Sequence, residues 1–470
     1  MNIPRLFSMT ILCAFCIGLT ICAVRRRKKI CDGARDKKAP LELAPKSSGP
    51  EASEVKDEYI VMLNPSISAA VSRSKVTSFG ETVSIAAKDE VLAHALSGSI
   101  DPLPNRRVDD LVSLEINDTY ALNSFVVNTD SKTIDDLRCD PNVLIIESDQ
   151  VVSKTRRRRP RRTTTTIKPT TQPASNLDCP VNCVRYDVTN VWGLDRVDQL
   201  TKNRDGYMTI KEPKEGVDIY VLDTGIDRNH PEFEGRAYHG TTTVYAPGSD
   251  SHDVDGHGTH VAATVAGKTY GIAKKARIFA VKVLGDNGGG TTSSILRGLQ
   301  WVRQQTKRSS RRSVINMSLG GRGSKTEDAW VNALASENVP VVVAAGNSHR
   351  PASYYSPSRA TGVFTVAASD WTDNLCSFSN YGKSVDIIAP GEQILSAIPG
   401  NRAVALSGTS MASPHVAGIV ADYLSHYPDK STAQVKSWLQ ENSIKSAVYL
   451  TKTENRYTVN YLAKALACDG

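Results

Sequence analysis

Short apolar runs rich in β-branched residues alternate with helical patterns from about residue 184 onward. The runs are apolar on both faces, which is typical of parallel strands buried between two layers of helices. Strands are predicted at 217–222, 278–284, 313–317, 339–344 and 362–368, and helices at 257–267, 293–305 and 326–337. The alternation predicts an α/β fold with three layers, α/β/α, around a mostly parallel sheet. Functional groups of such folds collect at the carboxyl ends of the strands.

Residues 406–420 contain a serine at the start of a predicted helix. A tight turn is predicted at 407–409, and small and apolar residues follow at helical spacing. Pro414 is compatible with the first turn, where N–H groups have no partner within the helix. The hydroxyl of Ser410 would lie beside free N–H groups and the positive end of the helix dipole, which favours developing negative charge. Serine is also a common helix cap, so this stretch alone does not distinguish a nucleophile from a cap.

A serine nucleophile needs a positioned base, and the base needs a third group that orients it. The chain supplies both upstream of Ser410. Asp223 ends the predicted strand at 217–222, and His257 begins the predicted helix at 257–267. The three side chains are therefore expected to meet at the carboxyl edge of the sheet.

Three motifs resemble the signatures of the subtilisin-like serine proteases. They are Asp-Thr-Gly-Ile-Asp at 223–227, His-Gly-Thr-His-Val at 257–261 and Gly-Thr-Ser-Met-Ala-Ser-Pro-His-Val-Ala-Gly at 408–418. Further similarity at 228–236, 270–290 and 376–382 is to the proteinase K branch, and the resemblance covers about residues 190–430. It implies a subtilisin-like fold with Asp223, His257 and Ser410 as catalytic triad. It also implies that Asn347 donates its amide to the oxyanion.

The resemblance further implies how a peptide would bind. Substrate would lie extended between two edges, at 288–292 and 318–320, where glycines allow close approach of a second backbone. The implied substrate-binding residues are Gly288, Gly289, Gly290, Ser318, Leu319, Gly320, Ala344, Ala345 and Gly346. The last four would line a roomy S1 pocket, which predicts large apolar or aromatic P1 residues. These segments contain no acid, which argues against a dibasic-specific convertase, although Asp286 borders one edge.

A structural calcium site is also implied. Similarity to proteinase K puts Asp386 at a carboxylate ligand position, with the carbonyls of Thr361 and Val363, and oxygen ligands suit Ca²⁺. The proline expected at the position of Thr361 is missing, and Asp386 as an ordinary acid at a strand end is the alternative. No catalytic cofactor is expected.

The N-terminal part of the chain divides into several predicted segments. They are a signal peptide or signal anchor at 1–24, a linker at 25–56, an inhibitory propeptide domain of α+β type at 57–153, a basic and Thr/Pro-rich processing linker at 154–178, and the catalytic domain at 179–470. The apolar stretch at 6–24 predicts entry into the secretory pathway, and the basic residues after it leave membrane anchorage open. The propeptide assignment follows from its resemblance to the propeptides of subtilisins.

The formal charge of +8 does not indicate a nucleic-acid surface. Two runs, 25–29 and 154–162, hold twelve of the 57 Lys and Arg residues, and both lie outside the predicted folded domains. The second run is the predicted processing site. We expect a monomer whose partners are protein substrates and its own propeptide.

Four cysteines follow the processing linker: Cys179, Cys183, Cys376 and Cys468. An even number in a secreted domain allows two disulfides, with three pairings open. Cys179 and Cys183 as half of a zinc site is a weaker alternative. Asn117 begins a glycosylation motif in the predicted propeptide.

Together these features predict a secreted serine endopeptidase that is made as an inactive precursor. Two alternatives remain at this point. One is a catalytically silent binding protein of the same fold, and the other is a membrane-tethered maturation protease. Keeping all four catalytic positions argues against the silent protein.

Overall fold

The computed structural model describes residues 39–42, 54–63, 124–128, 134, 138, 143–155, 182–245 and 249–468. Contacts divide them into two units, with the boundary after Asp149. The predicted signal segment at 1–24, most of the processing linker, Asn117 and Cys179 lie outside the described residues.

The first unit contains strands β1 (Leu41–Glu42), β2 (Glu54–Leu63), β3 (Ser124–Asn128) and the first part of β4 (Val143–Lys154). β2 lies between β3 and β4, and it pairs with β3 in antiparallel register. Ile60, Val126 and Ile146 are buried apolar side chains of these strands. The residues of β4 from Gln150 onward belong to the second unit.

The second unit alternates strands with helices. Its strands are β5 (Cys183–Asp187), β6 (Tyr207–Lys211), β7 (Val217–Asp223), β8 (Ala237–Thr242), β9 (Arg277–Lys282), β10 (Gly289–Thr291), β11 (Arg312–Met317), β12 (Leu319–Arg322), β13 (Val341–Ala344), β14 (Tyr355–Ser356), β15 (Phe364–Ser369), β16 (Ile387–Pro390), β17 (Ile394–Ile398), β18 (Arg402–Leu406), β19 (Ile444–Lys445) and β20 (Tyr461–Leu462). Its α-helices are α1 (Trp192–Asp198), α2 (His257–Ala266), α3 (Thr292–Arg308), α4 (Lys325–Ser336), α5 (Thr409–His426), α6 (Thr432–Asn442) and α7 (Lys452–Asn455). Short 3₁₀ helices occur at Pro231–Phe233 and Ala352–Tyr354.

Nine of the described strands form the main sheet, in the order β19–β20–β16–β15–β13–β11–β7–β9–β8. Every neighbouring pair from β20 to β8 is parallel, and only the short β19 runs antiparallel to its neighbour. All seven residues of β7 are buried, as expected for a parallel strand covered on both faces. The predicted strands and helices are present, with ends that differ by a few residues.

Side chains of β7 alternate between two helical layers. Ile219 and Val221 belong to the apolar core that includes residues of α2 and α5. On the opposite face, the ring of Tyr220 lies 6.1 Å from that of Trp301 in α3, and Leu222 lies against Gly298 of the same helix. The prediction of a three-layer α/β/α fold is therefore confirmed.

A disulfide joins Cys183 in β5 to Cys468 near the end of the second unit. Cys376 is a buried free thiol, and burial raises its pKa. None of the helices described in the structure is long and apolar enough to cross a membrane.

Candidate active site

The predicted triad residues lie at the ends of one strand and two helices, and a hydrogen bond joins two of them, Asp223 and His257. Asp223 is the last residue of β7, His257 is the first of α2, and Ser410 is the second of α5. All three are fully buried. His257 Nδ1 lies 2.7 Å from Asp223 Oδ1, which also accepts a hydrogen bond of 2.7 Å from the N–H of Thr224. This pair fixes the orientation of the imidazole ring.

The second imidazole nitrogen is left free for chemistry. A carboxylate oxygen at Nδ1 requires a proton there in the neutral ring, so the lone pair resides on Nε2. His257 Nε2 is buried and has no hydrogen-bond partner among the residues that the structure describes. An unpaired lone pair on Nε2 is what a general base for a serine hydroxyl requires.

The start of α2 approaches the turn after β7 very closely. A Cβ atom at Gly258 would lie 2.1 Å from the carbonyl oxygen of Gly225, so only glycine fits. The N–H of Gly258 donates to Thr224 Oγ1 at 2.9 Å, and that hydroxyl donates to Asp253 Oδ1 at 2.9 Å. Burial raises the pKa of Asp253, although its hydrogen bonds oppose that shift. These contacts hold Asp223 and His257 in one rigid arrangement.

Asn347 lies just beyond β13, and its amide orientation is fixed by Thr409. The N–H and the hydroxyl of Thr409 both donate to Asn347 Oδ1, each at 2.9 Å. The same hydroxyl accepts a hydrogen bond of 3.0 Å from the N–H of Gly346. Because Oδ1 is held in this way, Nδ2 points to the opposite side, where it donates to the carbonyl oxygen of Thr155. The sequence reasoning did not identify Thr409.

An extended segment of the chain, Val151–Thr155, runs through the cleft of the second unit. The end of β4 pairs antiparallel with β10, where Val152 is opposite Gly290, and with β12, where Ser153 is opposite Gly320. Ser410 Oγ lies 2.6 Å from the carbonyl oxygen of Thr155 and 2.6 Å from its hydroxyl. The carbonyl of Thr155 thus contacts both the serine and the amide donor.

The two edges implied by the resemblance are the ones that bracket this segment. The carbonyl oxygen of Gly288 accepts a hydrogen bond of 3.2 Å from the N–H of Lys154, and that of Ser318 accepts one of 3.3 Å from the N–H of Thr155. Gly289 and Gly290 pair with residues 153 and 152, and Leu319 pairs with residue 154. All six predicted edge residues therefore lie along the segment.

Three of the predicted S1 residues lie at the end of β13 or directly after it, and the fourth lies in β12. Ala344 and Ala345 are buried. Gly346 has a φ of 104°, and a Cβ atom there would lie 2.3 Å from Asn380 Nδ2, which donates to the carbonyl of Ala345 at 2.8 Å. Gly320 faces the side chain of Thr155. The residue in this position of the segment is threonine, smaller than the aromatic or large apolar residue predicted for substrates.

The predicted calcium residues do come together, but around a lysine side chain. Lys436 of α6 directs its Nζ to Asp386 Oδ1 at 2.9 Å and to the carbonyl oxygens of Val363 at 2.7 Å and Thr361 at 3.4 Å. An ammonium group among these three oxygens leaves no place for a divalent cation, so this set does not fit Ca²⁺ and the expectation needs correction. Burial raises the pKa of Asp386, against the lowering effect of Lys436 and of the N–H of Thr365.

An acid that the sequence reasoning overlooked lies at the cleft. Asp255 Oδ2 forms an ion pair with Nζ of Lys154. Asp286, the acid that the sequence did suggest, instead pairs with Lys282 at 3.0 Å and is 46% exposed. The position of Asp255, two residues before His257, could have suggested that it lies near the site. Its partner Lys154 is 101 positions away in the sequence, so the ion pair itself could not be predicted from local spacing.

The comparisons with known proteins agree with this geometry. The subtilase family matches residues 214–462. The extracellular serine proteinase of Thermus sp. (strain Rt41A) is 40% identical over 346 residues, which cover 73% of this chain and 76% of that protein. Alkaline serine exoprotease A of Vibrio alginolyticus is 34% identical over 468 residues, which cover 99% of this chain and 78% of that protein. A solved cold-adapted subtilisin-like serine proteinase is 41% identical, with a TM-score of 0.57, and covers 60% of this chain and all of its own.

Proposed function

The chain belongs to the subtilase family and is a serine endopeptidase. From this premise we propose that it acts through Asp223, His257 and Ser410. We also propose that it is made as a secreted, inactive precursor. The contact that carries the proposal is that of Ser410 Oγ, 2.6 Å from the carbonyl oxygen of Thr155. A peptide carbonyl in reach of the serine and of an amide donor is the arrangement that acyl transfer needs.

Each group has a distinct role in the proposed reaction. Ser410 Oγ attacks the scissile carbonyl carbon while His257 Nε2 takes its proton. His257 then returns the proton to the leaving amine. Asp223 accepts the hydrogen bond from Nδ1 and balances the imidazolium charge, and Asn347 Nδ2 donates to the oxyanion. The family needs no catalytic cofactor for this chemistry.

We propose that the segment ending at Thr155 keeps the precursor inactive. Its backbone pairs with both edges of the cleft, so other peptides are excluded while it remains bound. The first cut would then fall between Thr155 and Arg156, after the propeptide domain predicted at 57–153. The basic residues that follow would serve outside processing enzymes.

The P1 preference for large apolar or aromatic residues remains a proposal for separate substrates. It is supported by the small residues Gly320, Ala344, Ala345 and Gly346 beside the P1 position. A threonine at this position does not exclude it, because a tethered segment has a high effective concentration and reacts even with a poor P1 residue. The name of the Thermus relative supports an extracellular location for the mature enzyme.

Expression through a secretory pathway tests the proposal, with intact mass and N-terminal sequencing of the wild type beside Ser410→Ala. We expect a new N-terminus at Arg156, or further along the linker after trimming, only when Ser410 is present. Ser425→Ala is the matched control, because Ser425 lies on the same helix and its hydroxyl donates to the carbonyl of Asp422 at 2.7 Å.

Ser410→Ala should also lose at least about 10⁴-fold in peptidase activity. If Ser410→Ala hydrolyses peptides as fast as the wild type, the proposed nucleophile is wrong. If it is cut at the same bond by the host cell, the processing part of the proposal fails while the peptidase part stands.

A further inference from the structure

We propose that Asp255 makes this enzyme select substrates with lysine or arginine at P2, the residue before the one whose carbonyl Ser410 attacks. The inference rests on the proposed function, since it concerns the same cleft. It starts from the ion pair between Asp255 Oδ2 and Lys154 Nζ. Lys154 directly precedes Thr155 and therefore occupies P2 of the bound segment.

The carboxylate of Asp255 is held in place by a contact that does not involve the bound segment. Its Oδ1 accepts a hydrogen bond of 3.1 Å from the N–H of His257. The surrounding loop is fixed by Asp253, which accepts hydrogen bonds from the N–H groups of Gly256 at 2.9 Å and Thr259 at 2.8 Å. One oxygen of Asp255 is thus bound to the backbone of the base, and the other faces the cleft.

The cleft also accommodates the length of a lysine side chain. The stem of Lys154 passes over Gly288, where a Cβ atom would lie 2.5 Å from its Cε. The side chains of Lys154 and Asp255 are only 18% and 13% exposed. Water therefore screens this pair less than a surface pair, and a neutral P2 residue would leave a partly buried carboxylate without a cation.

The substrate class that follows is an extended peptide with a basic P2 residue. This differs from a dibasic convertase, which also requires a basic P1 residue, because the acid found here lies at P2 and the predicted S1 residues include no acid. Loss of a hydrogen bond to a charged partner at such a site lowers kcat/KM by about 10- to 100-fold.

The test uses the processed enzyme and three peptides that carry a fluorogenic amide after P1. The first has the sequence Val-Val-Ser-Lys-Thr of residues 151–155, and the second has Met in place of the P2 lysine. The third has Glu at P2. The measured quantity is the ratio of kcat/KM for Lys over Met, which cancels any general loss of activity or of folded protein.

We expect the wild-type ratio to be about 10 to 100 and Asp255→Asn to bring it close to 1. Asparagine keeps the oxygen that accepts from the N–H of His257 and replaces the charged oxygen that faces the cleft by a neutral NH2 group. Asp255→Lys should favour the Glu peptide over the Lys peptide. The exposed Asp286→Asn is the matched control and should keep the wild-type ratio.

Two outcomes overturn the inference. Equal cleavage of the Lys and Met peptides by the wild type shows that the enzyme does not select for charge at P2. A Lys/Met ratio of kcat/KM for Asp255→Asn equal to that of the wild type shows that a group other than Asp255 selects the P2 residue. Both differ from failure of the proposed function, in which no peptide is cleaved by the wild type or cleavage survives Ser410→Ala.

Discussion

Replacing Lys436 by methionine removes an ammonium group while keeping a side chain of similar length. In the wild type this group contacts Asp386 Oδ1 at 2.9 Å and the carbonyl of Val363 at 2.7 Å. In the variant, the carboxylate of Asp386 keeps the hydrogen bond that its Oδ2 accepts from the N–H of Thr365 at 2.9 Å. We therefore predict a loss of stability that calcium partly restores.

The magnitude follows from how far the pair is buried. Lys436 and Asp386 are 23% and 18% exposed at their side chains. Exposed pairs contribute about 0.2–1 kcal/mol, and breaking a fully buried pair costs about 3–5 kcal/mol. A pair four-fifths buried lies between these limits, so we expect the free energy of unfolding to fall by about 2–3 kcal/mol. For a unit of this size, with an unfolding entropy of about 2.1 cal/mol/K per residue, that corresponds to a melting temperature lower by about 3–5 °C.

Scanning calorimetry in a Ser410→Ala background measures this without self-digestion. Lys268→Met is the matched control, because Lys268 is exposed and should change the melting temperature by less than about 1 °C. Calcium should raise the melting temperature of Lys436→Met more than that of the wild type, since one carboxylate and two carbonyl oxygens become free to bind it.

The pH dependence gives an independent check. Burial already raises the pKa of Asp386 above its ordinary value of 3.8, and removing Lys436 raises it further. The folded variant then binds a proton more tightly than the folded wild type, so its loss of stability against the wild type is smallest at low pH and grows as pH rises through the raised pKa of Asp386. An equal melting temperature for Lys436→Met and the wild type at neutral pH, or an equal gain from calcium, would refute the reasoning.

Two further predictions concern the oxyanion donor and the disulfide. Thr409→Val removes the hydroxyl that holds Asn347 Oδ1, so kcat should fall about tenfold with KM nearly unchanged; a change in KM alone would contradict the positioning role. The double variant Cys183→Ala, Cys468→Ala opens a loop with a sequence separation of 285 and should lower the free energy of unfolding by about 2–5 kcal/mol in chemical denaturation. An unchanged denaturation midpoint would show that the bond contributes nothing.

Local sequence was enough to predict the sheet and to bring the catalytic candidates together. The strand β7 is apolar at nearly every position, and its end at Asp223 follows from that pattern alone. Helix starts at His257 and Ser410 are likewise marked by adjacent glycines and small residues. Since parallel strands present their carboxyl ends at one edge, the contact between Asp223 and His257 agrees with the fold class.

The contacts that modify the site could not be predicted from local sequence patterns. Lys436 lies in a helix 50 residues beyond Asp386, and nothing in the helix itself shows that its ammonium group takes the place of a cation. The partner of Asp255 lies in a different predicted segment of the chain, which was interpreted as linker. Thr409 is adjacent to Ser410, but it can orient the amide of Asn347 only because the fold places Asn347, which follows β13, next to it. Each of these depends on tertiary packing rather than on spacing.

The covalent ring closed by Cys183 and Cys468 begins downstream of the basic linker. Cuts anywhere between residues 156 and 182 leave that ring whole. Under the proposed maturation, the enzyme would therefore tolerate a ragged N-terminus, because imprecise trimming by different host proteases would yield molecules with the same cross-linked body. Accuracy in the proposed processing would be needed at one peptide bond only, the one that releases the occupied cleft.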